Sequence, residues 1–291
     1  MTAFGPLFDC AASRRDLLRV AGAAALALPF AGLVRPPGAA APPCGVLVHE
    51  DGFATPSAGS WTESDVDGAF PRVRSGDAWS DQRLFPSSRF AIVPDPAGSG
   101  ERVMRFTVPA DQSAYRSEIG RAAFSWGRYR YDFSTFVPED YVPYRYQTIL
   151  AQWPGVSTGD DRPGRPPLVL SLRGAPSPAW EILVNSVAED GSIDQTKHPL
   201  PVPFRAGVWN DWSVDIVWST PSTPGRVTVS YAGGEVLRID GVNNAHQKRP
   251  PYFQTGIYRS TWRTGGYAPQ PDLQIYHRRI SVHDLTACQP A

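Results

Sequence analysis

Three short segments carry polar groups at spacings that could do chemistry. In Tyr115–Ile119 (YRSEI) an extended chain puts Arg116 and Glu118 on one face, with Tyr115, Ser117 and Ile119 on the other. In Tyr252–Arg259 (YFQTGIYR) the residues Tyr252, Gln254, Gly256 and Tyr258 share a face, opposite Phe253, Thr255 and Ile257. One strand would then show an amide, a glycine and a phenol in a row, Gly256 leaving room for a ligand between the polar groups. Between them, Ile149–Pro154 (ILAQWP) offers Gln152, with Ile149 and Ala151 turned to the opposite, core-facing side. Each feature also has an ordinary reading. Arg116 with Glu118 can be a surface ion pair of little worth, and Tyr258 a core aromatic with its hydroxyl at the rim.

Strands must position these groups, because strand signals recur along the chain. Arg102–Val108 reads RVMRFTV. In Trp126–Phe136 the residues Tyr129, Tyr131 and Phe133 alternate with Arg128, Arg130 and Asp132, a period of two that separates aromatics from charges. Further strands are expected at Gln147–Trp153, Leu168–Leu172, Trp180–Ser186, Trp212–Trp218, Arg226–Tyr231, Glu235–Ile239, Phe253–Tyr258 and Leu273–His283, with Gly233-Gly234 turning a hairpin. No segment of ten residues has a helical period. With 30 Pro and 26 Gly in 291 residues, a helical bundle or coiled coil is excluded. The 33 aromatic residues exclude wholesale disorder. A single all-β sandwich or barrel fits. The polar loop Gly155–Pro167 would wall one end of it. Its Asp160-Asp161 pair is the one place a structural calcium would bind, although the spaced acids of a calcium loop are missing. No other cofactor is implied: there is no HExxH or CxxC spacing and no nucleotide motif.

The first 41 residues read as an address. Arg14-Arg15 precede an uncharged Ala/Leu-rich stretch, Val20–Val34, too short to span a bilayer, and Ala39-Ala40-Ala41 offers a cleavage site. The pattern resembles a twin-arginine export signal, which would make residues 42–291 a secreted or periplasmic domain with no membrane attachment. That mature chain has 24 basic and 26 acidic residues. It lacks the basic field of a nucleic-acid binder, and an anionic ligand would need a local basic groove. Cys44 and Cys288 then stand at its two ends and are expected to form a disulfide, worth about 2–4 kcal/mol. A monomer is expected.

The three polar segments, in this order, resemble a family. The β-jelly-roll polysaccharide lyases (alginate lyases, the heparin lyase I type and glucuronan lyases) carry R-S/T-E-L-R, then Q-I-H or Q-V-H, then Y-F-K-x-G-x-Y. Here the segments read RSEIG, AQWPG and YFQTGIYRS, and the stretch GVWNDWSVDIVWS from Gly207 resembles the heparin lyase I-like group. The resemblance covers most of residues 46–283. It implies a concanavalin A-like jelly roll of two antiparallel sheets, and an enzyme that cleaves an anionic uronate polysaccharide by β-elimination. Arg116, Gln152 and Tyr258 carry over as catalytic, with Glu118 in support. Two positions depart from the pattern: Pro154 stands where the family has His, and Gln254 where it has Lys.

In such an elimination the proton on C5 leaves and the C4 oxygen departs. Donors to the neighbouring carboxylate, here Gln152 and Arg116, stabilise the enolate-like transition state. Tyr258 would move the proton. Its ordinary pKa of ~10 calls for a cationic neighbour, Arg116 or Arg259. Guluronate and iduronate, with C5–H and C4–O on opposite ring faces, need two groups. Glucuronate and mannuronate, with both on one face, need one. A site with Tyr258 but Pro154 therefore favours the second pair. Of the histidines His49, His198, His246, His277 and His283, His198 in the loop Gln195–Pro199 could fold over the groove. Gln254, Arg259 and Trp262 complete the expected substrate contacts, and Tyr267 could stack on a sugar, while alternation assigns Trp153 to the core. The alternative is a jelly roll that binds a glycan without cutting it.

Overall fold

The computed structural model describes residues 45–53, 63–66, 88–111, 114–121, 123–155, 165–174, 177–245, 248–264 and 270–288. Residues 1–41, expected to be an export signal, and Asp160-Asp161, His246, Tyr267 and Cys44 lie outside them. Contacts divide the chain into Met1–Pro42 and Pro43–Ala291. Among the described residues no helix is long and apolar enough to cross a membrane.

Among the described residues, fifteen strands form two antiparallel sheets, a jelly-roll sandwich. In the first, the order is β13 (Gly234–Gly241), β12 (Gly225–Tyr231), β11 (Trp209–Val217), β6 (Arg128–Phe136), β15 (Leu273–Asp284), β4 (Arg102–Val108) and β3 (Phe90–Pro94), with β1 (Val46–Asp51) also on β15. In the second it is β10 (Ile193–Pro199), β9 (Ala179–Val187), β8 (Leu168–Arg173), β7 (Thr148–Trp153), β14 (Phe253–Tyr258), β5 (Arg116–Arg121) and β2 (Glu63–Val66).

The period of two predicts which side chains fill the space between the sheets. Tyr129, Tyr131 and Phe133 of β6 point inward, while Arg128 turns out to a two-toothed ion pair with Asp215. Trp153 lies in the core against Tyr131, ring centroids 5.3 Å apart. Leu170, Ile182, Phe253 and Ile257 meet it from the second sheet. The hairpin between β12 and β13 turns through Ala232 and Gly233, both at positive φ, as a two-residue turn of this hand requires.

Two local irregularities decide how β7 and β14 present their outer faces. On β7 the register passes from Ile149↔Ser171 to Ala151↔Leu170, so Leu150 is an extra residue. Leu150 and Ala151 both face the core, and Ile149 swings to the outer face beside Gln152. This corrects the expectation that Ile149 faces inward, which assumed an unbroken period. On β14 the register against β7 shifts between Thr255 and Tyr258, and Gly256 sits at φ 140°. A Cβ there would come within 2.2 Å of the Ser117 carbonyl oxygen and 2.8 Å of the Glu118 Cα. Gly256 is thus glycine so that β5 can approach, and it leaves no room for a ligand as had been expected. Gly256→Ala should destabilise the domain by at least about 2 kcal/mol, from the strained φ and the clash together. A urea midpoint equal to that of the unaltered protein would contradict this.

Cys288 is a disulfide cysteine. Its expected partner, Cys44, lies outside the described residues, so that pairing stays an expectation.

Candidate active site

Arg116, Glu118, Gln152, Gln254 and Tyr258 come together on the outer face of the second sheet. The register does this: Tyr258 lies opposite Arg116 on β5 and Ile149 on β7, and Gln254 opposite Gln152. Glu118 is fully buried there. Its Oε2 accepts from Arg116 Nε at 2.9 Å and Nη2 at 2.6 Å, and its Oε1 accepts from Gln152 Nε2 at 2.6 Å. A buried carboxylate between a guanidinium and an amide holds both in fixed positions. The guanidinium carbon of Arg116 stands 4.1 Å from the centre of the Tyr258 ring. The ordinary reading of Arg116 and Glu118 as an exposed surface ion pair does not hold, since the two side chains are 11% and 0% exposed.

The amide nitrogen of Gln152 also donates to Gln254 Oε1 at 3.3 Å, so both its hydrogens are committed within the protein. These two contacts tie Gln152 to Glu118 and Gln254. With the Gln254 oxygen so held, the Gln254 amide nitrogen has no hydrogen-bond partner among the described residues.

Tyr258 rests on an apolar floor of Ile149, Val169 and Leu183. These line a depression of about 410 Å³ together with Gln147, Arg165, Asn185 and Gln195. Asn185 and Gln195 are joined across β9 and β10, Gln195 Nε2 donating to Asn185 Oδ1 at 3.0 Å. The sequence hid this floor because one outward apolar residue on each of three strands is unremarkable until the strands are put side by side.

Three expected substrate contacts are elsewhere. Arg259 is fully buried, 4.6 Å from the Tyr144 ring centre and 4.8 Å from that of Trp262, with Nε donating to Thr148 Oγ1 at 3.1 Å. Burial pushes its pKa down, with Tyr141 next in order acting against that. Trp262 is itself buried in the core against Tyr144. Both follow the end of β14 into the 3₁₀ turn Ser260–Thr264, whose inward side the core claims. His198 lies on strand β10, not in a loop, and pairs with the core residue Ile182, which puts it on the side of the sheet away from Tyr258.

The other described histidines, His49, His277 and His283, lie on strands of the first sheet. His277 is buried between Thr135 and Thr255, and burial lowers its pKa to about 3. His49 is buried as well, its pKa lowered to about 4 by burial and then by Arg121. Both are neutral at pH 7. His283 pairs with Asp132 on the first sheet.

The arrangement is a phenol lining a groove, beside a fixed guanidinium, with buried carboxylate and amide groups next to them. A family model described as polysaccharide lyase matches residues 73–281. The chain belongs to the polysaccharide lyase family. Its fold is shared with solved structures of low identity. An endo-β-1,4-glucuronan lyase from Trichoderma reesei is 18% identical with a TM-score of 0.55, covering 67% of this chain and 86% of that one. A PL7 alginate lyase from Zobellia galactanivorans is 14% identical at 0.51, covering 78% and 96%. An endo-1,3-β-glucanase from Streptomyces sioyaensis is 14% identical at 0.57, covering 84% and 99%. No curated protein matches the sequence. Since the same sandwich carries a lyase and a glucanase, the side chains of this lyase, not its fold, must indicate its reaction.

Proposed function

We propose that the protein is an exported lyase that cleaves β-1,4-linked glucuronate or mannuronate polymers by syn β-elimination, with Tyr258 as both base and acid. The observation that carries this reading is the Arg116 guanidinium 4.1 Å from the Tyr258 ring, tethered by the buried Glu118. A fixed cation there favours the phenolate. The phenolate takes the C5 proton. The C5–H electron pair becomes the C4–C5 double bond as the C4–O bond breaks. The phenol, now protonated and on the same ring face, returns that proton to the departing oxygen. Arg116 and the amide of Gln254 stabilise the charge that builds on the uronate carboxylate. Pro154 stands where the family pattern has its histidine, which favours substrates that need one group.

The groove supports an anionic polymer. Arg165 borders the Tyr258 depression, and Arg145, Arg173 and Lys197 border the one beside it. This is the local basic groove that a near-neutral chain requires. The hydrolase reading finds less support. Glu118, the buried carboxylate beside Tyr258, is engaged by Arg116 and Gln152 instead of being presented to a glycosidic bond.

Mass spectrometry of the products separates the two reactions. Elimination gives fragments lighter by one water than those of hydrolysis. Hydrolysed ends on glucuronan fragments would overturn the lyase mechanism.

A further inference from the structure

Beside the Tyr258 groove lies a second depression of about 300 Å³ that shares Gln147 and Ser260 with it. Its cations come from three separate elements. Arg145 precedes β7, Arg173 ends β8 on the same side as Val169 and Ser171, and Lys197 lies opposite the groove residue Leu183. Among them sits a carboxylate, Glu181, only 3% exposed. Its Oε1 accepts from Ser171 Oγ at 3.2 Å, and no ion pair joins it to a described cation. The wall is closely packed: a Cβ on Gly174 would lie 2.3 Å from the Tyr144 carbonyl oxygen and 2.4 Å from that of Arg145, so the Arg145 segment is pressed against the end of β8.

A buried carboxylate inside a ring of cations is not what a site for bare negative charge would contain. It suits a sugar that has a carboxylate on one side and hydroxyls on another. Cations attract the uronate carboxylate, while Glu181 accepts hydrogen bonds from the hydroxyls. A sulfate in place of a hydroxyl removes the donor and brings a second negative charge against a poorly solvated one.

We propose that this depression is a binding subsite for an unsulfated uronate next to the sugar being cleaved, and that Glu181 makes the enzyme reject O-sulfated polymers. The proposal rests on the lyase reading above, and its test separates the two. The probes are β-1,4-glucuronan oligosaccharides and the same oligosaccharides after chemical O-sulfation. Their binding is measured by calorimetry on the full chain carrying Tyr258→Phe, and their turnover on the chain with Tyr258 intact. Arg173→Ala with Lys197→Ala should raise both Kd and KM for the unsulfated oligosaccharides by at least about tenfold, with a much smaller change in kcat. Glu181→Gln should raise the sulfated-to-unsulfated ratio of kcat/KM by about tenfold, whereas Glu181→Asp, which keeps the charge, should preserve rejection. Urea midpoints of each variant establish that it is folded. An unchanged Kd and KM in the double variant, or an unchanged ratio in folded Glu181→Gln, overturns the subsite while leaving the lyase reading intact. Binding that depends on Arg173 and Lys197 without any unsaturated product overturns the lyase reading and leaves the subsite. Oligosaccharides that neither bind nor are cleaved overturn both.

Discussion

Tyr258→Phe should lower kcat by about 10²–10⁴-fold, the range for loss of a positioned acid–base group, with little change in KM. The substitution removes one oxygen. It keeps the ring that rests on Ile149, Val169 and Leu183 and the stack with Arg116, so the groove should hold its shape and still bind polymer. A single tyrosine serving in both proton transfers makes the loss severe. Unlike a two-group site, it leaves no second residue to complete half the reaction. The check is a steady-state comparison on glucuronan, with binding of the variant measured separately. Full activity in the folded variant would remove Tyr258 from the mechanism.

Glu118→Ala should be nearly as damaging to activity, and it should also reduce stability. The carboxylate is fully buried, and its two oxygens hold Arg116 and Gln152. The Arg116 side chain is only 11% exposed, so removing its counter-charge leaves a largely desolvated cation behind. Breaking a buried pair from one side costs about 3–5 kcal/mol. The guanidinium would also be released from the Tyr258 ring, and the Gln152–Gln254 contact would lose its anchor. Glu118→Gln keeps the shape but not the charge and should fall between the two. Urea unfolding and kcat should therefore decline together across the series. A stable but inactive Glu118→Ala would mean that Glu118 acts on the substrate itself. A stable and active one would mean that the network does not position the site.

How far the sequence reveals this arrangement depends on whether a residue obeys a simple period. The aromatic side of β6, the outward set Gln254 and Tyr258 on β14, and the Arg116–Glu118 side of β5 all follow alternation, and the structure agrees with each. Ile149 escapes because one extra residue, Leu150, reverses the phase of β7 at that point. Gly256 invites the idea of ligand room, but its neighbour is the β5 backbone, a contact made by a strand far away in sequence. Arg259 and Trp262 lie just beyond the last residue of β14, where the chain leaves the period of two for a 3₁₀ turn. β10 reads as a loop because an edge strand is polar on both faces, and that hid the direction of His198. The commitment of Gln152 to Glu118 and Gln254 is a matter of distances across three strands, to which no linear pattern points.

The most direct measurement incubates the mature chain, residues 42–291, with glucuronan, polymannuronate, polyguluronate, hyaluronan and heparin, and follows the ultraviolet absorbance of a newly formed C4–C5 double bond. Absorbance that rises on glucuronan or polymannuronate, and stays flat on polyguluronate and heparin, is the result expected from one tyrosine working on one face of the ring. Absorbance that rises only on polyguluronate or heparin would contradict that mechanism, and silence on all five, with the polymers still bound, would make the protein a glycan binder.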